Sequence, residues 1–170
     1  MRRFHAFLPA ALLALTALVP AAFAAEISWR GWNEGLSEAA SSKRPVVVDV
    51  YTDWCGWCKR MDRDVYARQD VRDYLAKNYV AVRLNAEAAG RARYENRDYT
   101  PSSLAQRFRV SGYPTTIFLR ANGEHLVNVP GYIDADRFKL MLRYFGEGAY
   151  DRGVSWEDFA KTPAAPATAR

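Results

Sequence analysis

Apolar and polar positions alternate with two different rhythms along this chain. Residues 46–51 read VVVDVY, a run of β-branched and aromatic residues broken only by Asp49, as in a strand buried on both faces. Residues 79–86, YVAVRLNA, predict a second strand. Between them, CKRMDRDVYA and DVRDYLAKNY carry helical spacing, with Asp70 placed to cap the second helix. Upstream, SWRGWNEGLSEAASSKR also has helical spacing. It sets Trp29, Trp32, Leu36 and Ala39 or Ala40 on one side and stops before Pro45. The stretch EAAGRARYENRDYT is polar without a clear period and reads as a long loop. A helix is then expected to open near Pro101.

The rhythm changes after residue 112. YPTTIFLR and HLVNVPGY read as two strands, and the Asn122-Gly123 pair between them is a hairpin signal. DADRFKLMLRYF predicts a helix capped by Asp134 with Phe138, Leu142 and Phe145 on one face, and SWEDFAK a short final helix. Strands joined through helices imply parallel neighbours, and a hairpin implies an antiparallel pair. The expected architecture is therefore α/β: a central mixed sheet flanked by helices on both faces.

The first 24 residues do not fit this pattern. Arg2 and Arg3 precede an apolar run at residues 6–19, and Ala22-Phe23-Ala24 fits a small-x-small cleavage site. Pro9 and Pro20 bracket a run shorter than the ~20 residues a spanning helix needs. Residues 1–24 are thus expected to be a signal peptide, residues 25–161 one domain, and the Pro- and Ala-rich residues 162–170 a disordered tail. Loss of Arg2 and Arg3 lowers the net charge from +5 to +3. That balance, with acids and bases interspersed, gives no reason to expect nucleic acid as a partner. Arg91, Arg93 and Arg97 sit among Glu87, Glu95 and Asp98 and read as a solvated loop.

The chain has only two cysteines, Cys55 and Cys58. A closed structural zinc site needs four N or S donors, and beside these two the domain offers a single histidine, His125, so no metal is expected. A staple across so short a loop removes little unfolded-state entropy. A redox pair accounts for more. The motif follows a buried strand and opens a helix, whose unpaired N–H groups favour a thiolate. Cys55 is then the exposed nucleophile, and Cys58, one turn on and facing inward, resolves the mixed disulfide.

VVVDVYTDWCGWCK resembles the thioredoxin active-site segment, and VSGYPTTIFLRANGE its later Gly-x-Pro-Thr turn, strand and hairpin. The resemblance covers most of residues 28–146. It is nearest to exported thioredoxin-like proteins with a Trp-Cys-Gly-Trp-Cys motif, a group related to the C-terminal domain of periplasmic thiol:disulfide interchange reductases. The resemblance implies a thioredoxin-like fold and roles for several residues. Asp49 would be a buried carboxylate with raised pKa that takes a proton from Cys58 through water. Pro114 would be the cis-proline, and the backbone of Tyr113 would pair with substrate as an added strand. Trp54, Gly56 and Trp57 would line the contact surface, with Trp57 the more exposed tryptophan. Lys59 would favour the thiolate, and Gly131 would lie near the groove. The implied activity is exported thiol:disulfide oxidoreduction in a bacterial periplasm, in the reducing direction and without a cofactor. Its partners would be protein disulfides and a membrane electron donor of the interchange-reductase type, and the protein would be a monomer. An oxidase or isomerase would use the same residues, and a thioredoxin-fold adaptor would use the tryptophan-rich face alone. The chain departs from the pattern at Gly56-Trp57, where thioredoxin has Gly-Pro, and at Arg63, where a kinking proline is expected.

Overall fold

The structure is a computed structural model that describes residues 26–162. The signal peptide expected at residues 1–24 and residues 163–170 of the expected tail lie outside the described residues. Four strands form the central sheet in the order β2-β1-β5-β6: β1 (Val46–Tyr51), β2 (Val80–Asn85), β5 (Thr115–Leu119) and β6 (His125–Pro130). β1 runs parallel to β2 and antiparallel to β5, and β5 and β6 form the antiparallel hairpin. The mixed sheet expected from the connections is the one observed. The C-terminal ends of β1, β2 and β6 and the N-terminal end of β5 therefore lie along one edge of the sheet.

Helices cover both faces. α1 (Trp32–Ser42) and α4 (Pro101–Arg107) lie on one side with Val46, Val48, Val50, Val82 and Ile117. α2 (Gly56–Met61), α3 (Gln69–Asn78) and α5 (Ala135–Gly146) lie on the other with Val47, Leu75, Phe118, Phe138 and Leu142. α6 (Trp156–Lys161) sets Phe159 against Tyr144 of α5, 5.2 Å between ring centres.

Four local expectations are corrected. The first helix begins only at Trp32, because residue 30 is drawn onto the free edge of β2. Arg30 donates its N–H to Ala81 O (2.9 Å), and its own carbonyl accepts from Arg83 N (2.9 Å). The cap of α3 is Arg68 rather than Asp70, which instead sits in the first turn and is ion-paired to Arg68 and Lys139. The helix after the cysteines changes at Asp62 into a π-helical turn, Asp62–Tyr66. Such a turn is an alternative to proline for redirecting a helix. Finally, the expected long loop contains a small hairpin, β3 (Ala92–Tyr94) and β4 (Arg97–Tyr99). Its two-residue turn puts Glu95 and Asn96 at positive φ, 49° and 62°. Tyr94 is buried against Trp32 and Phe108 and donates its hydroxyl to Gly123 O. Trp32 Nε1 donates to Arg93 O, so the hairpin closes the valine-rich side of the core.

Candidate active site

β1 delivers the chain to the sheet edge, residues 52–54 turn it, and Cys55 becomes the N-cap of α2. Its Sγ accepts the Cys58 backbone N–H at 3.0 Å, and a disulfide joins the two residues. A sulfur that takes an amide hydrogen bond at a helix N-terminus is stabilised as a thiolate once the bond is reduced. The pair is more enclosed than its position at a loop-to-helix junction implies: Cys55 is 3% exposed and Cys58 5%. The cap geometry explains this, since the Cys55 side chain folds back over the first helical turn and its own N–H is held by Thr52 O.

The exposed groups are the flanking tryptophans, Trp54 at 66% and Trp57 at 54%, the reverse of the expected ranking. Trp57 is the more covered because it leans on Tyr132, with ring centres 5.7 Å apart, and the Arg60 guanidinium lies 5.2 and 5.1 Å from the two rings. Trp54 meets Tyr113 edge-on at 6.0 Å, and its Nε1 donates to both carboxylate oxygens of Glu87. Gly56, the first residue of α2, and Lys59 are exposed on the same helix.

The Tyr113–Pro114 peptide bond is cis. Pro114 O accepts the Gly131 N–H at 2.8 Å, and Gly131 takes φ +86°, a conformation that strains any side chain but leaves glycine at ease. Among the described residues the N–H and C=O of Tyr113 enter no backbone hydrogen bond. His125 stands at the start of β6, at the far end of the sheet from the cysteines, with its ring beside Asn128 Oδ1.

Asp49 lies in the middle of β1, 3% exposed and opposite Thr116 of β5. Burial pushes its carboxyl up to about 6, against the opposing pull of Arg83. Arg83 is its register partner on β2, with Nε 3.3 Å from Oδ2. The same guanidinium also pairs with Asp62 and lies over Trp29 (4.5 Å), Tyr51 (5.3 Å) and Tyr66 (5.8 Å). Asp49 Oδ1, Thr52 Oγ1 and Thr116 Oγ1 are buried without a protein hydrogen-bond partner. Burial also holds the neighbouring Tyr66 phenol well above its ordinary range.

All the residues read as site residues thus gather at or just below one edge of the sheet. Sequence reasoning missed Arg83, Asp62, Tyr132, Glu87 and Arg60. Only Arg83 left a signal: a cation within the apolar run of one strand, matching an anion in the neighbouring strand.

A mixed sheet with a Cys-x-x-Cys disulfide at the β1–α2 junction, beside a cis-proline, has the architecture of a thioredoxin. Residues 32–146 match the thioredoxin-like domain family, and the chain belongs to it. It is 35% identical over 112 residues to the thiol:disulfide interchange protein DsbD of Ralstonia nicotianae, an alignment covering 65% of this chain and 17% of that protein. It is 32% identical over 113 residues to DsbD of Escherichia coli K12, covering 65% and 18%. The chain therefore spans less than a fifth of the length of these curated relatives. A thioredoxin from Thermus thermophilus shares the fold, with a TM-score of 0.62 and 24% identity over 76% of this chain and 94% of that one. The chain is a thioredoxin-like relative of thiol:disulfide interchange proteins, with a cysteine pair able to form a disulfide.

Proposed function

We propose that this chain is an exported thiol:disulfide oxidoreductase that reduces protein disulfides through the Cys55–Cys58 dithiol. The observation that carries the reading is the Cys55 sulfur at the cap of α2, accepting the Cys58 N–H one strand-end away from a buried carboxylate. The Cys55 thiolate attacks a substrate sulfur, giving a mixed disulfide and releasing the substrate's other sulfur as a thiolate. Cys58 then attacks Cys55, which frees the second substrate thiol and closes the Cys55–Cys58 bond. Asp49 takes the Cys58 proton, relayed by water. The unpartnered oxygens of Asp49 and of Thr116 opposite it favour a hydrated path, because buried polar atoms without protein partners are commonly served by water. Trp54, Gly56, Trp57, Tyr113 and Pro114 form the substrate surface, with the free backbone of Tyr113 pairing to an extended segment.

The reducing direction and the periplasmic setting rest on the likeness to interchange proteins and on the 1–24 leader. A membrane donor of the same class would recharge the dithiol. None of the described helices is long and apolar enough to cross a membrane. The equilibrium reduction potential of the Cys55–Cys58 pair tests the direction. A value near about −270 mV is expected of a reductase, and one near about −120 mV would make the protein an oxidant. In the same assays Cys55→Ser abolishes turnover, whereas Cys58→Ser traps the substrate mixed disulfide. A pair that never equilibrates with dithiol buffers, or full function in Cys55→Ser, would leave a binding module instead.

A further inference from the structure

Among the described residues, three large hydrophobic side chains are exposed, and two of them, Trp54 and Trp57, flank the disulfide. Neither is loose. Trp54 is pinned by the Glu87 carboxylate and the edge of Tyr113, and Trp57 by Tyr132 and Arg60. Aromatic groups held in place bind a partner with little further loss of conformational freedom.

The two arms end in opposite charges on opposite sides of the cysteines. Glu87 lies two residues beyond the end of β2, the outer strand on one side. Tyr132, which holds Arg60, lies two residues beyond the end of β6, the outer strand on the other. Cys55 follows β1 between them. Glu87 accepts from a neutral indole and so keeps its whole charge; among the described residues it makes no ion pair. Asp53, next to Trp54, adds a second exposed acid. On the other flank Arg60 uses only Nε on Asp64, which Arg63 shares. Its two terminal nitrogens make no hydrogen bond among the described residues, and its guanidinium carbon lies within 5.2 Å of both ring centres. A planar cation so held, with N–H groups to spare, suits a carboxylate. Lys59 and Arg63 leave that flank net positive.

We infer that this rim selects its substrate by charge: an extended, cystine-bearing polypeptide segment with a cationic side chain on the Trp54–Glu87 flank and a carboxylate on the Trp57–Arg60 flank. The inference rests on the thiol–disulfide reading above and names the substrate class of that same site. The chemistry is unchanged. The dithiol gives two electrons, the substrate S–S bond breaks, the Cys55–Cys58 bond forms, and the two protons pass to the released thiols.

Short synthetic peptides test it. Each carries one central cysteine as a mixed disulfide with 2-mercaptoethanol. One has Lys before and Asp after the cysteine, one has the reverse order, and one has Gln at both positions. Reaction of each with the reduced, full-length protein is followed by loss of peptide disulfide. One charged order is expected to react roughly fivefold faster than its reverse at low salt, the difference fading as salt screens the rim. In the doubly reversed variant, Glu87→Lys with Arg60→Glu, the preferred order should invert. The readout is a ratio within one protein, so any general loss of activity cancels. Equal rates for both orders in the wild type, or a preference that survives the double reversal, overturns the inference. If neither the peptides nor neutral hydroxyethyl disulfide oxidise the pair, the dithiol reading itself fails.

Discussion

The two faces of β1 are built from alternate residues of one short strand, yet they meet different surroundings. Val46, Val48 and Val50 face α1 and α4, are wholly buried, and touch a layer of Val80, Val82, Leu84, Ile117 and Leu119. Val47, Asp49 and Tyr51 face the other way, toward the π-helical turn and α5. There Asp49 shares its layer with Arg83, Thr116 and Tyr66, and both its own Oδ1 and the Thr116 hydroxyl oxygen lack protein partners. One face is optimised for packing. The other keeps a half-satisfied carboxylate on the strand that leads to the disulfide, a costly placement that the proposed role of proton acceptor would account for.

The sharpest way to break this contrast is to put the same group on the wrong face. Val48→Asp buries a carboxylate in a layer of valine, leucine and isoleucine side chains, one residue from a place where the protein tolerates one. The expected loss is more than about 5 kcal/mol, enough to abolish folding of a marginally stable domain. Val48→Ala, which only opens a cavity, should cost roughly 1–3 kcal/mol and remain measurable by urea unfolding. A soluble, folded Val48→Asp protein would show that the two faces are not distinct.

The same face contains a glycine held for closeness. Gly35 lies in α1 directly over Val82, and a Cβ there would overlap Val82 Cγ2. Ordinarily Gly→Ala within a helix stabilises by about 1 kcal/mol. Here Gly35→Ala should instead destabilise by roughly 2 kcal/mol, because α1 must lift off the sheet or Val82 must leave its rotamer. Gly35→Ala with Val82→Ala should recover part of the loss in the same urea titration, since the two sites are in contact.

On the opposite face the sign changes. Asp49 has a native pKa of about 6 against an ordinary 3.8, so the folded state holds its proton longer than the unfolded chain. The carboxyl therefore costs nothing at low pH, and its penalty grows as pH rises from about 4 through 6, being complete above that. Asp49→Asn should raise stability by roughly 2 kcal/mol at pH 8 and leave it unchanged below about pH 4. The gain falls short of the full shift because Arg83 then keeps only Asp62 as a partner. Chemical denaturation of the oxidised proteins at the two pH values checks both halves.

How much of this was legible in the sequence follows from the range of each interaction. The cysteine motif, the buried strands, the Asn122-Gly123 hairpin and the Asp134 cap are local patterns, and the fold bears them out. The β3–β4 hairpin escaped because its strands are three residues long, too short to show a period, and its turn uses Glu95 and Asn96 without glycine. Trp29 looked helical because its spacing to Trp32 and Leu36 fits a helix. The unpaired edge of β2, which draws the adjacent Arg30 into extended backbone, is set by distant chain. The Asp49–Arg83 pairing depends on strand register, and the ranking of Trp54 and Trp57 depends on where Tyr132 and Tyr113 arrive. Each is a long-range property that neither propensity nor spacing encodes.

The finest test of the chemical face moves only the balance of charge around Asp49. The groups facing it are Arg83, which lowers its pKa, and Asp62 across the guanidinium, which raises it, with the Tyr66 phenol beside them. If ionised Asp49 accepts the Cys58 proton, release of substrate thiol from the Cys55 mixed disulfide should accelerate as pH rises through about 6. Arg83→Gln removes the opposing cation and should move that inflection upward. Asp62→Asn removes the remote anion and leaves the guanidinium wholly to Asp49, so both effects move the inflection downward, by less, because Asp62 is the weaker influence. Stopped-flow measurement of thiol release across the pH range reads the midpoints directly. Opposite displacements of one inflection by two neutralising substitutions of opposite sign are what a tuned base requires. Substitutions that merely loosened the packing would lower the rate at every pH and leave the midpoint in place.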